Sequence, residues 1–368
     1  MKIGVLKEID DNRVALIPDY VKILGDEGHE VLIEKDAGAG SFFNDKTYTD
    51  VGAKIKARDE VLKSADLLIS VHPIEKKEMS KLREGSTYVS SFVPFATDTH
   101  LKNLSETKIS AFSLDMIPRI TIAQSMDVLS SMASIAGYKA VLMAANHLPR
   151  YFPMLTTAAG SIPPAKILIL GAGVAGLQAV ATARRLGAVV EAFDTRLAAK
   201  EEVESLGARF VEVEGARDDK GAGGYAVEQT EEYKQKQRDL IFEKVTKADV
   251  VITTAQLRGK PAPKLITKEM VEKMKPGSVI VDLASSTGGN CEVSKDREIV
   301  DYNQVTIIGN SELASQVGQH ASQLFSKNIQ NYFKVVLKEG TLQFDRENEI
   351  IRSSLIVKGG ETLFGKEN

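Results

Sequence analysis

Cysteine is almost missing from the 368-residue chain, where Cys291 stands alone. One thiol excludes an intrachain disulfide framework and any cysteine-rich zinc site, and it fits a reducing compartment. Histidine is scarce too. His29, His72, His100, His147 and His320 are scattered without the spacing of metal ligands, so no metal site is predicted. An excess of one charge is also missing. With 47 basic against 50 acidic residues the balance is −3, which gives no electrostatic reason to expect nucleic acid or a polybasic membrane contact. Nor is there a long hydrophobic run. Residues 167–183 come nearest, but Gly171, Gly173 and Gly176 interrupt them where a turn belongs. The apolar start at 3–6 is too short for a signal peptide and ends at Lys7 and Glu8. The expectation is a soluble chain without a direct membrane span. No nucleophile motif and no catalytic pair of carboxylates stands out.

What is present is a rhythm. At roughly 150 residues per domain, this length suggests two domains or slightly more. Short apolar runs at 3–6, 31–34, 66–71, 87–92 and 108–112 alternate with helix-like stretches such as 19–28 and 59–63. That βαβα order argues for a mostly parallel sheet with helices on its faces. A second series follows Pro163 and Pro164, with runs at 167–170, 189–193, 209–213, 249–253, 278–283 and 306–308. Six strands with crossovers are what a doubly wound dinucleotide domain requires. Between the series, 125–147 lacks proline and carries apolar residues at helical spacing, which predicts one long helix. A helical stretch over 311–338 and a short tail follow, and the tail is expected to return to the first domain. The predicted fold is α/β, with two doubly wound Rossmann-like domains joined by long helices and a cleft between them. Their predicted extents are 1–136 with 322–368, and 137–321.

The strongest motif follows the run at 167–170: Gly171-Ala-Gly173-Val174-Ala175-Gly176. Gly171 permits a tight turn off a strand, Gly173 lets backbone amides approach a pyrophosphate, and Gly176 lets the helix pack on the sheet. The helix opened by Val174 and Ala175 then turns unpaired N–H groups toward that anion. The first series has no such motif. Asp194 lies 23 residues beyond Gly171, near the spacing of the acid that grips the adenosine ribose and favours NAD over NADP. Thr195 and Arg196 extend that corner, and the arginine keeps a 2′-phosphate in play.

Two further segments draw notice. Residues 215–233 form a long, polar, glycine-rich insertion around Tyr225, which reads either as a lid that closes on a ligand or as a solvated loop. At the junction of the two series, Arg119, Gln124, Asp127, Ser130 and Ser131 gather polar groups. A helix would put Gln124, Asp127 and Ser131 on one face, suited either to a nicotinamide amide and ribose or merely to capping a helix. Cys291, after Gly288-Gly289-Asn290, sits in a loop where a catalytic role is open.

Together these residues resemble the alanine dehydrogenase and proton-translocating transhydrogenase superfamily, from Lys7-Glu8 and Asn12-Arg13-Val14-Ala15-Leu16-Ile17-Pro18 to about Phe333. The alanine dehydrogenase branch uses a lysine, a histidine and an aspartate on its keto acid. Here those places read His72, the segment Ser90-Ser91-Phe92-Val93-Pro94, and Ser286, with only Arg13 of the set retained. The Arg119–Gln124–Asp127 loop with Ser130 and Tyr138, the Gly223-Gly224-Tyr225 loop, and Gly288 to Cys291 resemble the NAD(H)-binding component of the transhydrogenases instead.

That resemblance implies a function and a setting. Hydride would pass directly between NAD(H) on this chain and NADP(H) on a partner component, so no acid–base group is needed. Arg119, Gln124, Asp127, Ser130 and Tyr138 would orient the nicotinamide, and Tyr225 would close over it. The glycine turn from Gly171 to Gly176, with Asp194, Thr195 and Arg196, would bind the rest of the cofactor. A beta component carrying NADP(H) and a membrane-spanning component would be partners. The chain would be a homodimer, cytoplasmic and peripheral to the inner face of the cell membrane. Two alternatives stay open: an alanine dehydrogenase-like enzyme with a relocated acid–base group, and a non-catalytic NAD(H)-binding protein.

Overall fold

A computed structural model of the chain describes residues 1–97, 99–213 and 231–366. Tyr225, Gly223 and Gly224 lie outside the described residues. The strands run in chain order as β1 (Lys2–Val5), β2 (Glu30–Glu34), β3 (Lys54–Lys56), β4 (Leu67–Ile69), β5 (Thr87–Ser90) and β6 (Ser110–Ser113). A hairpin of β7 (Leu155–Thr157) and β8 (Gly160–Ile162) follows. The second series is β9 (Lys166–Leu170), β10 (Val189–Phe193), β11 (Arg209–Phe210), β12 (Val250–Thr253), β13 (Val279–Asp282), β14 (Glu298–Tyr302) and β15 (Val305–Gly309). The tail holds β16 (Leu337–Lys338), β17 (Thr341–Leu342), β18 (Leu355–Lys358) and β19 (Glu361–Thr362). Two compact units result: Met1–Met132 with Ser315–Asn368, and Ala133–Ala314.

The first unit is built on a sheet of order β19-β18-β6-β5-β4-β1-β2-β3. β1 to β6 are parallel, and β18 runs antiparallel to β6. Parallel strands covered on both faces must be apolar on both sides, and β4, Leu-Leu-Ile, is buried throughout. Ile3, Val5, Leu67 and Ile69 share one core with Phe325, Ile329 and Tyr332 of the helix Gly318–Val336. Leu32, Leu68 and Tyr88 face the other way, onto Val61, Leu62 and Leu104.

The second unit has the order β11-β10-β9-β12-β13-β15-β14. Its strands are parallel except β14, which pairs antiparallel with β15. Winding runs outward from β9 to β11 on one side and from β12 onward on the other, so the switch point lies between β9 and β12. Ile167, Ile169 and Ile252 pack on Ala179, Val180 and Ala183 of the helix Val174–Arg185. Leu168, Leu170 and Ile280 face Ile241, Val245 and Met270. The α/β class and the doubly wound sheets read from the apolar runs are both present.

Three local expectations need correction. Residues 125–147 are not one helix. A 3₁₀ segment, Thr121–Met126, ends at Asp127, whose backbone is extended at φ −74° and ψ 93°, and an α-helix then runs Val128–His147. The helical stretch after 311 likewise begins as 3₁₀, Leu313–Val317, before the helix Gly318–Val336. β14 was not anticipated: it is an edge strand with little burial, turned back at Asn303 and Gln304, both with positive φ. The helix Val128–His147 has the length and apolarity to cross a bilayer. Here it gives Ala136, Ala140, Val141 and Ala144 to the core of the second unit.

Candidate dinucleotide-binding site

In the second unit the glycine motif forms the turn from β9 into the helix Val174–Arg185. Gly171 has φ +102°, a conformation that side-chain-bearing residues avoid. Its carbonyl accepts a hydrogen bond from the Thr254 hydroxyl at 3.0 Å, tying the turn to the end of β12 across the switch point. A Cβ on Gly176 would lie 1.9 Å from the Gly171 carbonyl oxygen, so only glycine lets the helix start this close to the strand. Gly173 is the contrast. It caps the helix in an ordinary conformation, φ −76°, and a Cβ there would meet nothing within 4 Å. Its small size leaves room for a ligand rather than for packing. Val174 is exposed at the helix start and Ala175 lies beside it. The turn, the open face at Gly173 and the free N–H groups of the first helical turn fit a pyrophosphate.

Asp194 directly follows β10, and its side chain is 9% exposed. It accepts hydrogen bonds from the Ala172 N–H at 2.8 Å and from the Arg196 N–H at 2.8 Å. The Arg196 guanidinium adds two more, from Nε and Nη2 at 3.0 Å each. The two residues that pointed to opposite cofactors are therefore one ion pair. The acid holds the arginine, and the acid lies next to the turn.

The segment after β13 is a scaffold. Asp282 is fully buried and accepts from the Thr253 hydroxyl at 3.0 Å and from the Ala284 and Cys291 N–H groups at 3.0 and 3.1 Å. Gly289 must be glycine, because φ is +77° and a Cβ would lie 2.7 Å from Asp282 Oδ2. Asn290 is also buried. It donates to the Ala255 and Pro263 carbonyls, each at 2.8 Å, and accepts from the Ala255 N–H at 3.0 Å. It thus clasps the loop after β12 at the carboxyl edge of the sheet. The Cys291 thiol is buried, which pushes it up to about 11 and removes it as a nucleophile. Ser285 donates to Asp296, and Ser286 is exposed. Sequence reading missed the roles of Thr254, Asp282 and Asn290; the place of the first two at the ends of β12 and β13, and of Asn290 in the Gly288-Gly289-Asn290 motif, was the available signal.

The Arg119 segment belongs to the first unit. Ala123 and Met126 point into its core, and Asn328 and Asn331 hold the Ser125 carbonyl at 2.9 and 3.1 Å. The 3₁₀ turn is thereby pinned, with Gln124 and Arg119 at the surface. Asp127 and Ser130 are brought together: Asp127 accepts from the Ser130 N–H at 2.9 Å and from its hydroxyl at 2.6 Å. That is an N-terminal helix cap. Gln124, Asp127 and Ser131 do not share a helix face, since the helix begins after Asp127. Tyr138, in the second unit, is 41% exposed on the helix Val128–His147.

At the carboxyl ends of β1 and β4, where the first sheet reverses its order, lies a second polar cluster, with Glu8, Asp11 and Arg13 buried and His72 partly exposed. The Arg13 Nε donates to both oxygens of Asp11 at 3.0 Å, and His72 Nε2 lies 2.9 Å from Asp11 Oδ2. Burial works to raise the Asp11 carboxyl, but His72 and Arg13 outweigh it and hold it well below the usual carboxylate range. Glu8 accepts from the Val71 and His72 N–H groups, yet burial raises it above the ordinary value.

Comparison with known proteins agrees with this architecture. Residues 4–136 match the family described as alanine dehydrogenase/PNT, N-terminal domain, and residues 140–365 match its C-terminal domain. The chain is 42% identical to an NAD(P) transhydrogenase subunit alpha chain of Rickettsia prowazekii, over 99% of this chain and 96% of that protein. A solved transhydrogenase from Sinorhizobium meliloti is similar at 40% identity and a TM-score of 0.90, covering 98% of this chain and 100% of that one. A solved L-alanine dehydrogenase is similar at 25% identity and a TM-score of 0.80, covering 98% and 96%.

Proposed function

The chain belongs to the alanine dehydrogenase/PNT family, and from that premise we propose that it is the NAD(H)-binding subunit of a proton-translocating NAD(P) transhydrogenase. The observation that carries this reading is the glycine turn after β9, open at Gly173 and flanked by the Asp194–Arg196 pair. Asp194 gives up a guanidinium bond to accept from the adenosine ribose and keeps Arg196 beside it through the rest, which favours NAD(H) here and leaves NADP(H) to a partner. The bound dinucleotide supplies the nicotinamide carbon that gives or takes the hydride. Because no proton goes to a substrate atom, the chain needs no acid–base pair. Its role is to orient the ring and exclude water.

Arg119, Gln124, Asp127 and Ser130 do the orienting in this reading, with Tyr138 beside them in the set and Tyr225 as the closing aromatic. Asp127 and Ser130 stiffen the segment that presents Gln124. Replacing Gln124 with Asn then slows hydride transfer far more than it weakens NADH binding; equal loss of both rejects the assignment.

The partners are an NADP(H)-binding beta component and a membrane-spanning component, with this chain peripheral on the cytoplasmic face. A homodimer completes the reading. The hairpin β7–β8 is exposed except at Leu155, and Tyr151, Met154 and Ile162 are exposed in and beside it. An isolated two-stranded hairpin is marginal in water, and a cavity of about 890 Å³ lined by Pro149, Tyr151 and Pro163 lies alongside. A second copy covers both, and Met154→Glu with Ile162→Asp then yields monomers by sedimentation.

Likeness to L-alanine dehydrogenase keeps one competing reading in view. Against it, Asp11 already fills the Arg13 fork that a keto acid would need. The experiment mixes the chain with the NADP(H)-binding component of a related transhydrogenase and follows exchange from NADPH to an NAD analogue. Exchange that needs both proteins supports the proposal. NADH oxidation by the chain alone with pyruvate and ammonium overturns it.

A further inference from the structure

The carboxyl edge of the first sheet carries a cavity that the dinucleotide chemistry does not use. It encloses about 430 Å³ and lies beyond the ends of β5 and β6, roofed by the helix Glu349–Ser354 and the start of β18. Phe95, Leu355, Leu363 and Phe364 give it an apolar floor, with Phe95 and Phe364 in edge contact at 5.0 Å between ring centres. Its polar lining is one-sided. Arg346, Arg352 and Lys366 line it, and no acidic residue does among the described residues. Glu361, which is within electrostatic reach of Arg346, is ion-paired with Lys366 at 2.8 Å. Arg346 Nε is buried and has no hydrogen-bond partner among the described residues. A guanidinium donor left unmatched beside an apolar cavity is costly unless an anion meets it.

We propose that this cavity binds a single-chain fatty carboxylate, with the head between Arg346 and Arg352 and the alkyl chain on the phenylalanine and leucine floor. Arg346 and Arg352 supply the positive charge a carboxylate head needs, and the unmatched Arg346 Nε–H supplies a donor for it. The volume lies at the small end of ligand pockets, suited to one medium-length chain rather than a two-chain lipid. The site is separate from the dinucleotide turn, and its occupancy does not depend on the transhydrogenase reading.

The probe is decanoate, titrated into the full chain and followed by the chemical shift of its ¹³C-labelled carboxyl and by calorimetry. Decanoate binds one per chain below its micellar concentration, and decanol, lacking the charge, binds at least tenfold more weakly. Octanoate is weaker by about tenfold, the worth of two buried methylenes. Arg346→Gln with Arg352→Gln weakens decanoate by at least tenfold while NADH affinity stays the same. Ser353→Phe, which fills the cavity and keeps the charges, also abolishes binding. The proposal is overturned if decanoate fails to saturate, if decanol binds equally well, or if the double arginine variant or Ser353→Phe binds decanoate like the parent.

Discussion

Gly173 and Gly176 stand three residues apart in one turn, and replacing each with alanine should produce opposite defects. At Gly176 the new methyl would sit 1.9 Å from the Gly171 carbonyl oxygen and 2.9 Å from its carbon. Backbone cannot swing aside as a side chain can, so the helix start must shift off β9. Overpacking of this kind costs about 1–3 kcal/mol, or roughly 2–12 °C of midpoint in a unit of this size. At Gly173 the methyl meets nothing within 4 Å and φ is already −76°. The fold therefore tolerates it, with stability within about 0.5 kcal/mol of the parent. What the methyl takes is the room in front of the helix N-terminus. Losing charge-assisted hydrogen bonds to a phosphate costs about 1.5–3 kcal/mol, so NADH affinity falls on the order of 10- to 100-fold. Thermal melting and NADH fluorescence titration on the two variants read these separately. If Gly173→Ala binds NADH like the parent, or if Gly176→Ala melts like it, the account of the turn is wrong.

Other changes test neighbouring regions. Asp194→Ala removes the three hydrogen bonds by which the acid holds Arg196, and with them the ribose acceptor; the ratio of NADH to NADPH affinity should fall by about tenfold or more in paired titrations. Asn290→Ala strands the Ala255 N–H and two carbonyls, costing about 1–3 kcal/mol for each buried group left unpaired and showing as a lower melting midpoint. Cys291 should resist iodoacetamide at pH 8 in the folded chain and react only on unfolding. Its pH dependence has a definite sign. The buried thiol keeps its proton up to about 11 while the unfolded thiol gives it up near 9.0, so stability falls as pH rises between those values; Cys291→Ala should flatten that stretch of the curve.

Most of the scaffold was legible because parallel, doubly covered strands are unbroken apolar runs, as in Lys166–Leu170 and Val250–Thr253. The glycine turn was legible because Gly171 and Gly176 each answer a separate steric demand of the fold, while Gly173 leaves room for a ligand. Other features were hidden by context. Apolar spacing continues on both sides of Asp127, so nothing local announces that its backbone leaves the helix. β14 escaped notice because an edge strand needs little burial and Gln304 sits at positive φ, where glycine or asparagine is the usual marker. The pairing of Asp194 with Arg196 shows a further limit. Each residue alone argued for a different cofactor, and only geometry joins them. Asn290 stands out as a motif residue, but its clasp on Ala255 and Pro263 depends on two loops meeting.

The central claim is direct hydride transfer without a proton relay, and isotope tracing tests it most directly. The chain and the proposed NADP(H)-binding component would be given NADPH deuterated at the transferring C4 position, with NAD as acceptor, in ordinary water. The account predicts that all the deuterium appears at C4 of the product NADH, and that the reverse arrangement in D₂O introduces none. Loss of label to solvent, or its gain from solvent, would contradict it.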